Sequence, residues 1–228
     1  MAAGSATRSM PRDGGSVLGL LRGRAPSVRA ALLFGLLCAT LTLAIRLWLK
    51  WVGPLPGDGW VKEHHDSVWL QPTLVLDLGT FFSVIGTPAV AALTTLVGLV
   101  FVARRFGIRG VLFVLLAGTG VIVNAGLKEL SGPTPLMLAL NANAPNPDHL
   151  LNYPSGHTVY GVTVFGALAA LAVRAGRREV ALPLLALIAL MGPFRVISGA
   201  HFVSDVIAGY LVGFAWLAFA AALTLRRQ

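Results

Sequence analysis

Residues 152–173 read NYPSGHTVYGVTVFGALAALAV. From Val162 onward the stretch is apolar enough to disappear into hydrocarbon. Its opening instead holds Pro154, Ser155, Gly156, His157 and Gly161. The first turn of a helix leaves N–H groups without intrahelical partners, and hydrocarbon offers them none. A polar, chain-bending opening on an apolar helix therefore marks a helix that starts at a membrane boundary.

The rest of the chain places it in the same class. Of 228 residues, 56% are hydrophobic and only 12% are charged, with a mean hydropathy of +0.77. A soluble domain carries about 25% charged residues, so the composition is that of an integral membrane protein. The net charge of +9 raises the question of nucleic acid. No basic run is interleaved with aromatic residues as such a surface requires, so nucleic acid is excluded as a partner. Cys38 is the single cysteine, which rules out an intramolecular disulfide or a cysteine-based zinc cluster.

A membrane span takes roughly 20 mostly apolar residues. Six stretches qualify, at about 30–49, 79–103, 110–127, 156–173, 181–198 and 202–225. The expected fold is an all-α, polytopic six-transmembrane-helix bundle whose catalytic core comes from helices 3–6, with the first span peripheral. Residues 30–228 form this domain, and residues 1–29, rich in Gly, Ser and Arg, form a flexible basic tail.

Loop charges orient the bundle. Arg8, Arg12, Arg22, Arg24, Arg29, Arg104, Arg105, Arg109, Arg174, Arg177, Arg178, Arg226 and Arg227 all fall on one side. The other side holds Arg46, Lys50, Lys62, Lys128 and Arg195, with seven of the nine acids. Both termini are expected in the cytoplasm. On the opposite side, residues 50–78 contain an amphipathic-looking segment suited to the interface, and residues 128–154 read as an irregular loop. The cluster Glu63-His64-His65-Asp66 reads as a solvated or interfacial loop, with headgroup contact or a metal as the lesser readings.

Ionisable residues at membrane depth are costly and mark function. Topology sets a group of them at one boundary. Lys128 closes the third span, Ser155 and His157 open the fourth, Arg195 closes the fifth, and His201 with Asp205 opens the sixth. The chemistry suggested is phosphoryl transfer. Lys128 and Arg195 supply fixed positive charge, and Ser155-Gly156 at a helix start offers N–H groups, a hydroxyl and the positive end of the helix dipole. His201 and Asp205 stand at i,i+4 and share a helix face. The carboxylate can hold one imidazole nitrogen as N–H and leave the other free to attack. His157 is then the acid for the leaving oxygen. Singly, each has an ordinary reading: Arg195 as a snorkelling anchor, Ser155 as an N-cap, and His201 with Asp205 as a structural hydrogen bond or part of a metal site with His157. Their common depth favours the phosphoryl-transfer reading.

These residues resemble the type 2 phosphatidic acid phosphatase superfamily, the membrane lipid phosphatases related to vanadium haloperoxidases. That family carries K-x6-RP, PSGH and SR-x5-H-x3-D. The second motif is intact as Pro154-Ser155-Gly156-His157. The third is present as Arg195, His201 and Asp205 at the family's spacing, with Phe194 in place of its serine. The first, KELSGPTP from Lys128, keeps the lysine and prolines but has Thr134 or Pro135 where an arginine is expected. Against the family's pattern, one phosphate-binding cation is therefore missing or is supplied from elsewhere, by Lys62 or His149. The resemblance implies His201 as nucleophile through a phosphohistidine, Asp205 as its orienter and His157 as acid. Lys128, Ser155, Gly156 and Arg195 would bind phosphate, and neither metal nor other cofactor is needed. The implied partners are membrane lipids and a lipid phosphate or diphosphate substrate: a polyprenyl diphosphate such as undecaprenyl diphosphate, phosphatidylglycerol phosphate or phosphatidic acid. The implied location is a bacterial cytoplasmic membrane, with the active site on the extracytoplasmic face. A non-hydrolytic phospholipid-binding or transport relative and a lipid-linked phosphotransferase are the alternatives.

Overall fold

The computed structural model describes residues 26–68, 73–133, 138 and 153–225, without the side chains of 62, 64–68 and 73. Every regular element among them is helical. In chain order these are α1 (Val28–Trp51), α2 (Pro56–Val68), α3 (Thr73–Ile85), α4 (Pro88–Gly118), α5 (Gly120–Ser131), α6 (Gly156–Arg174), α7 (Arg178–Ile197) and α8 (Val203–Thr224). Inside α6, Gly161–Phe165 forms a π-helical segment. Residues 1–25 and most of 134–152 lie outside the description, so the basic tail and the long loop expected there are not tested.

Among the described residues, five helical stretches are long and apolar enough to cross a membrane: α1, Pro88–Ser131, α6, α7 and α8. Pro88–Ser131 has 44 residues, which at 1.5 Å per residue is about 66 Å if straight, some twice a bilayer's hydrocarbon core. It is not straight. Gly107, at φ 61° and ψ −159°, breaks it, in a conformation that favours glycine. Residues 88–99 and 114–122 then line a common groove, so the two arms fold back on one another. The turn contains Arg104, Arg105 and Arg109.

The expected span over 79–103 starts differently. Its first residues belong to α3, and the chain breaks at Gly86-Thr87 before α4 restarts with Thr87 as N-cap and Pro88 as its first residue. Proline is preferred in a first turn and discourages helix in the residue before it. Glu63–Asp66 also differs from expectation: its backbone is part of helix α2 rather than of a loop.

α6 is the central element, with almost every residue from Thr158 to Ala172 buried. Phe113, Val114, Val162, Leu171, Met191 and Leu217 form the core around it. Small residues set the spacing. A Cβ on Gly213 would lie 2.7 Å from Val162, and one on Gly166 2.7 Å from Leu217, so α8 and α6 approach closely through these glycines. Large apolar side chains such as Leu36, Leu93, Ile122 and Leu182 face outward, as lipid-facing surfaces do. α1 is less peripheral than expected. It packs along α8, with Ala31 against Ala218 and Ala222, and Leu49 with Ala208 and Tyr153.

Candidate active site

α5, α6, α7 and α8 bring the sequence-derived residues to one end of the bundle, opposite the Arg-rich turns at Gly107 and Gly176. His201 lies in the link between α7 and α8, which turns through Gly199 at φ 69°. The backbone N–H groups of Ala200 and His201 both donate to the Arg195 carbonyl, each at 3.1 Å. This fold-back fixes the histidine beside the arginine that precedes it by six residues.

Asp205 is buried and serves two donors at once. Its Oδ2 accepts from His201 Nδ1 at 3.3 Å and from the Phe202 backbone N–H at 3.0 Å. The second bond caps α8, and the first sets the imidazole tautomer, leaving Nε2 with the free lone pair. Burial pushes the His201 pKa below the ordinary histidine value, against the pull of the Asp205 carboxylate, and the charges of Arg195 and Lys128 push it further down. A neutral imidazole is the nucleophilic form.

The backbone carbonyl of Asp205 also accepts from Ser155 N–H at 3.0 Å, tying the start of α6 to α8. Gly209, one turn on, permits this contact: a Cβ there would come 2.9 Å from the Ser155 carbonyl oxygen. Ser155 is fully buried and its Oγ accepts from Thr158 Oγ1 at 3.1 Å. The first intrahelical bond of α6 runs from Val159 N–H to the Ser155 carbonyl. The N–H groups of Gly156, His157 and Thr158 therefore precede the helical ladder, at the positive end of the dipole.

Lys128 and Arg195 complete the cluster. The Lys128 ammonium interacts electrostatically with Asp205 and Arg195, and the charges of Arg195 and Lys128 bear on His157, which also lies within reach of His201. All seven sequence-derived residues thus share one neighbourhood. His149 and the side chain of Lys62, expected as sources of a further cation, lie outside the described residues. Among those residues, no group of three His, Cys, Asp or Glu side chains is placed to hold a metal.

Several contributors escaped the sequence reading. Ser83, near the end of α3, serves both His157 and Arg195: its carbonyl accepts from His157 Nε2–H at 3.0 Å and its hydroxyl accepts from Arg195 Nη1. Gly86 leaves room for the imidazole, since a Cβ there would lie 1.9 Å from His157 Cδ2. The Gly86-Thr87-Pro88 helix break is thus a recess for His157, and a glycine and a proline two residues apart were the break signal present in the sequence. Asn124, one helical turn before Lys128, is buried against Gly156, its Nδ2 3.5 Å from the Cβ position there.

A groove of about 780 Å³ reaches the cluster at Gly156 and His157 and runs between the two arms of Pro88–Ser131 beside α6. Leu96, Leu99, Val114 and Ile122 line its length, while Gly86, Gly156 and His157 form its polar end. It suits a hydrocarbon chain with a polar head at the histidine.

Three comparisons bear on this geometry. A family model described as the PAP2 superfamily matches residues 109–228, a little over half of the chain. No curated protein matches. Among solved structures, the chain is similar in fold to a transmembrane PAP2-type phosphatidylglycerolphosphate phosphatase from Bacillus subtilis, with a TM-score of 0.60 and 19% identity, covering 81% of this chain and 92% of the other.

Proposed function

Because the chain belongs to the PAP2 superfamily, a multi-pass membrane phosphatase fold, we propose that it hydrolyses a lipid phosphate or diphosphate at the extracytoplasmic face of a bacterial cytoplasmic membrane. The observation that carries this reading is the meeting of His201–Asp205 with the start of α6, at the polar end of an apolar groove. A water-soluble substrate would need no such groove. The two arms of Pro88–Ser131, taken as separate crossings, make six in all. The basic turns then face the cytoplasm, and the site faces out.

In the proposed reaction the His201 Nε2 lone pair attacks phosphorus and the bond from phosphorus to the lipid oxygen breaks. His157 gives its proton to that oxygen, and the lipid alcohol, or the lipid monophosphate if the substrate is a diphosphate, departs. With Nε2–H engaged by the Ser83 carbonyl, His157 acts as the doubly protonated imidazolium, favoured by the negative charge of the bound phosphate, and the transferred proton leaves Nδ1. Water then attacks the phosphohistidine, the P–N bond breaks, inorganic phosphate leaves and His157 recovers a proton. Lys128, Arg195 and the N–H groups at Gly156 and His157 hold the phosphoryl oxygens throughout. The neutral, buried His201 and its tautomer-fixing carboxylate support attack by nitrogen. Phosphatidylglycerol phosphate, phosphatidic acid and polyprenyl diphosphates share the required chemistry, and a polyprenyl diphosphate such as undecaprenyl diphosphate is slightly favoured.

The test is phosphate release by detergent-purified protein in EDTA from those three lipid classes, comparing wild type with His201→Ala and His157→Ala. Release that depends on both histidines supports the reading. Absence of release from every lipid by the wild type contradicts it, and dependence on a divalent cation contradicts the metal-independent mechanism.

A further inference from the structure

The segment before the family-matched region contributes two charged side chains to the ends of active-site helices. Asp58, in the first turn of α2, is completely buried. Its Oδ1 accepts from the Ser204 backbone N–H at 2.9 Å, and its Oδ2 from Leu55 N–H at 3.2 Å. It therefore caps its own helix and, across 146 residues of sequence, the N-terminus of α8. Asp205 caps the same turn through Phe202 N–H. The link bearing His201 is thus held by two carboxylates, one from α8 and one from α2. Packing reinforces the latch: Val61 meets Phe202, and a Cβ on Gly57 would lie 3.1 Å from Val203.

Arg46, on α1, does the complementary job on α5. Its Nη2 donates to the carbonyls of Ser131 and Pro133, at 2.5 and 3.0 Å, and lies 3.4 Å from that of Gly132. These carbonyls close and follow the last turn of the helix that carries Lys128, and Gly132, at φ 64°, ends it by donating to the Lys128 carbonyl at 2.9 Å. An anion thus sits at a helix N-terminus and a cation at a helix C-terminus, each on the side its dipole favours. Both lie where backbone groups lack helical partners.

We infer that Asp58 and Arg46 are positioning residues of the active site: Asp58 fixes the turn that presents His201, and Arg46 fixes the helix end that presents Lys128. The roles of His201 and Lys128 rest on the function proposed above; the two caps themselves do not. They assign helix α2 and the first span to the working enzyme.

The two positions call for different kinetic signatures. Loss of the Asp58 cap misplaces the nucleophile, so Asp58→Ala lowers kcat by about 10- to 100-fold with KM within about twofold of wild type. Asp58→Asn, which keeps an acceptor oxygen for Ser204 N–H, recovers a substantial part of the loss. Loosening the end of α5 weakens phosphate capture, so Arg46→Gln raises KM about 5- to 10-fold with a smaller change in kcat. A merely structural role would lower the active fraction in both variants without this split.

Hydrogen exchange followed by mass spectrometry reads the caps without turnover. In the full-length protein in detergent, Asp58→Ala should speed exchange at the start of α8 while its middle stays protected, and Arg46→Gln should do the same at the end of α5. Unchanged exchange at these ends overturns the inference whether or not the protein is a phosphatase. Local exchange changes with kcat and KM both within twofold of wild type overturn the positioning role and leave plain helix caps. Wild-type protein that hydrolyses no lipid phosphate contradicts the proposed function, and the exchange result then decides the caps alone.

Discussion

Residues 109–228 carry every group assigned to the proposed reaction, whereas residues 28–86 supply groups that hold them in place. In the first region the side chains stand at fixed spacings along three short motifs. In the second, Arg46, Asp58, Ser83 and Gly86 are scattered over three helices and the break that follows, and each acts through one or two contacts. The difference follows from what each task demands. A nucleophile with its orienting carboxylate needs two residues on one helix face, which forces a spacing. A cap or a recess needs only one acceptor, donor or missing Cβ at the right point in space, and many sequences can deliver that.

Substitutions on the two sides should separate accordingly. The largest effect is expected for His201→Ala, with phosphate release falling about 10⁴-fold or more, as for other covalent nucleophiles; a fall under tenfold would break the assignment. His157→Ala is expected to cost about 10²- to 10⁴-fold in kcat, with partial recovery for lipids bearing a better leaving group. Failure of the better leaving group to narrow the gap would argue against His157 as the acid.

On the supporting side, Gly86→Ala should cost about 10- to 100-fold in kcat, because the added methyl occupies the place of the His157 ring and must displace it. Activity equal to wild type would mean that the ring position is not critical. Ser83→Ala, which removes the hydroxyl partner of Arg195 but keeps the carbonyl that holds His157, should raise KM about 5- to 10-fold, near 1 kcal/mol. A fall in kcat instead would assign the hydroxyl a role on the His157 side.

The same comparison explains what was legible beforehand. Apolar runs and loop charges disclose the all-helical membrane class, because hydrocarbon tolerates few alternatives. The pairs His201–Asp205 and Ser155–His157 lie within single local segments, so spacing reveals them. The boundary between α3 and α4 was missed because Gly86-Thr87-Pro88 sits inside an otherwise continuous apolar run, where hydropathy outweighs a short break signal. Asp58 and Arg46 were not recognisable: Asp58 lies among prolines and glycines in the segment 50–78, and Arg46, near the end of the first span, counts in the sequence only as one of the outer-side charges. Their function depends on which backbone ends they meet, and no local pattern encodes that.

The smallest expected effect is a shift in pH dependence. His201 is depressed by burial, so it stays neutral to below the ordinary histidine pKa of about 6.5. The acid limb of kcat/KM in wild type should therefore lie below that value. Because the Asp205 carboxylate pulls the His201 pKa upward, Asp205→Asn should move the limb to lower pH, beside its loss of rate. The stability linked to neutral His201 has the same sign: it is fully present above about pH 6.5 and is lost as the pH falls through the depressed value. A wild-type limb at or above 6.5 would contradict the buried, neutral state.

The central claim is that the phosphoryl group passes through His201. The most direct measurement is rapid acid-free quenching of a single turnover with a lipid labelled in its phosphorus, followed by mapping of the label on the protein. The account predicts a base-stable, acid-labile label on the peptide containing His201 in wild type, and none in His201→Ala. Label on any other residue, or continued phosphate release by His201→Ala, would contradict it.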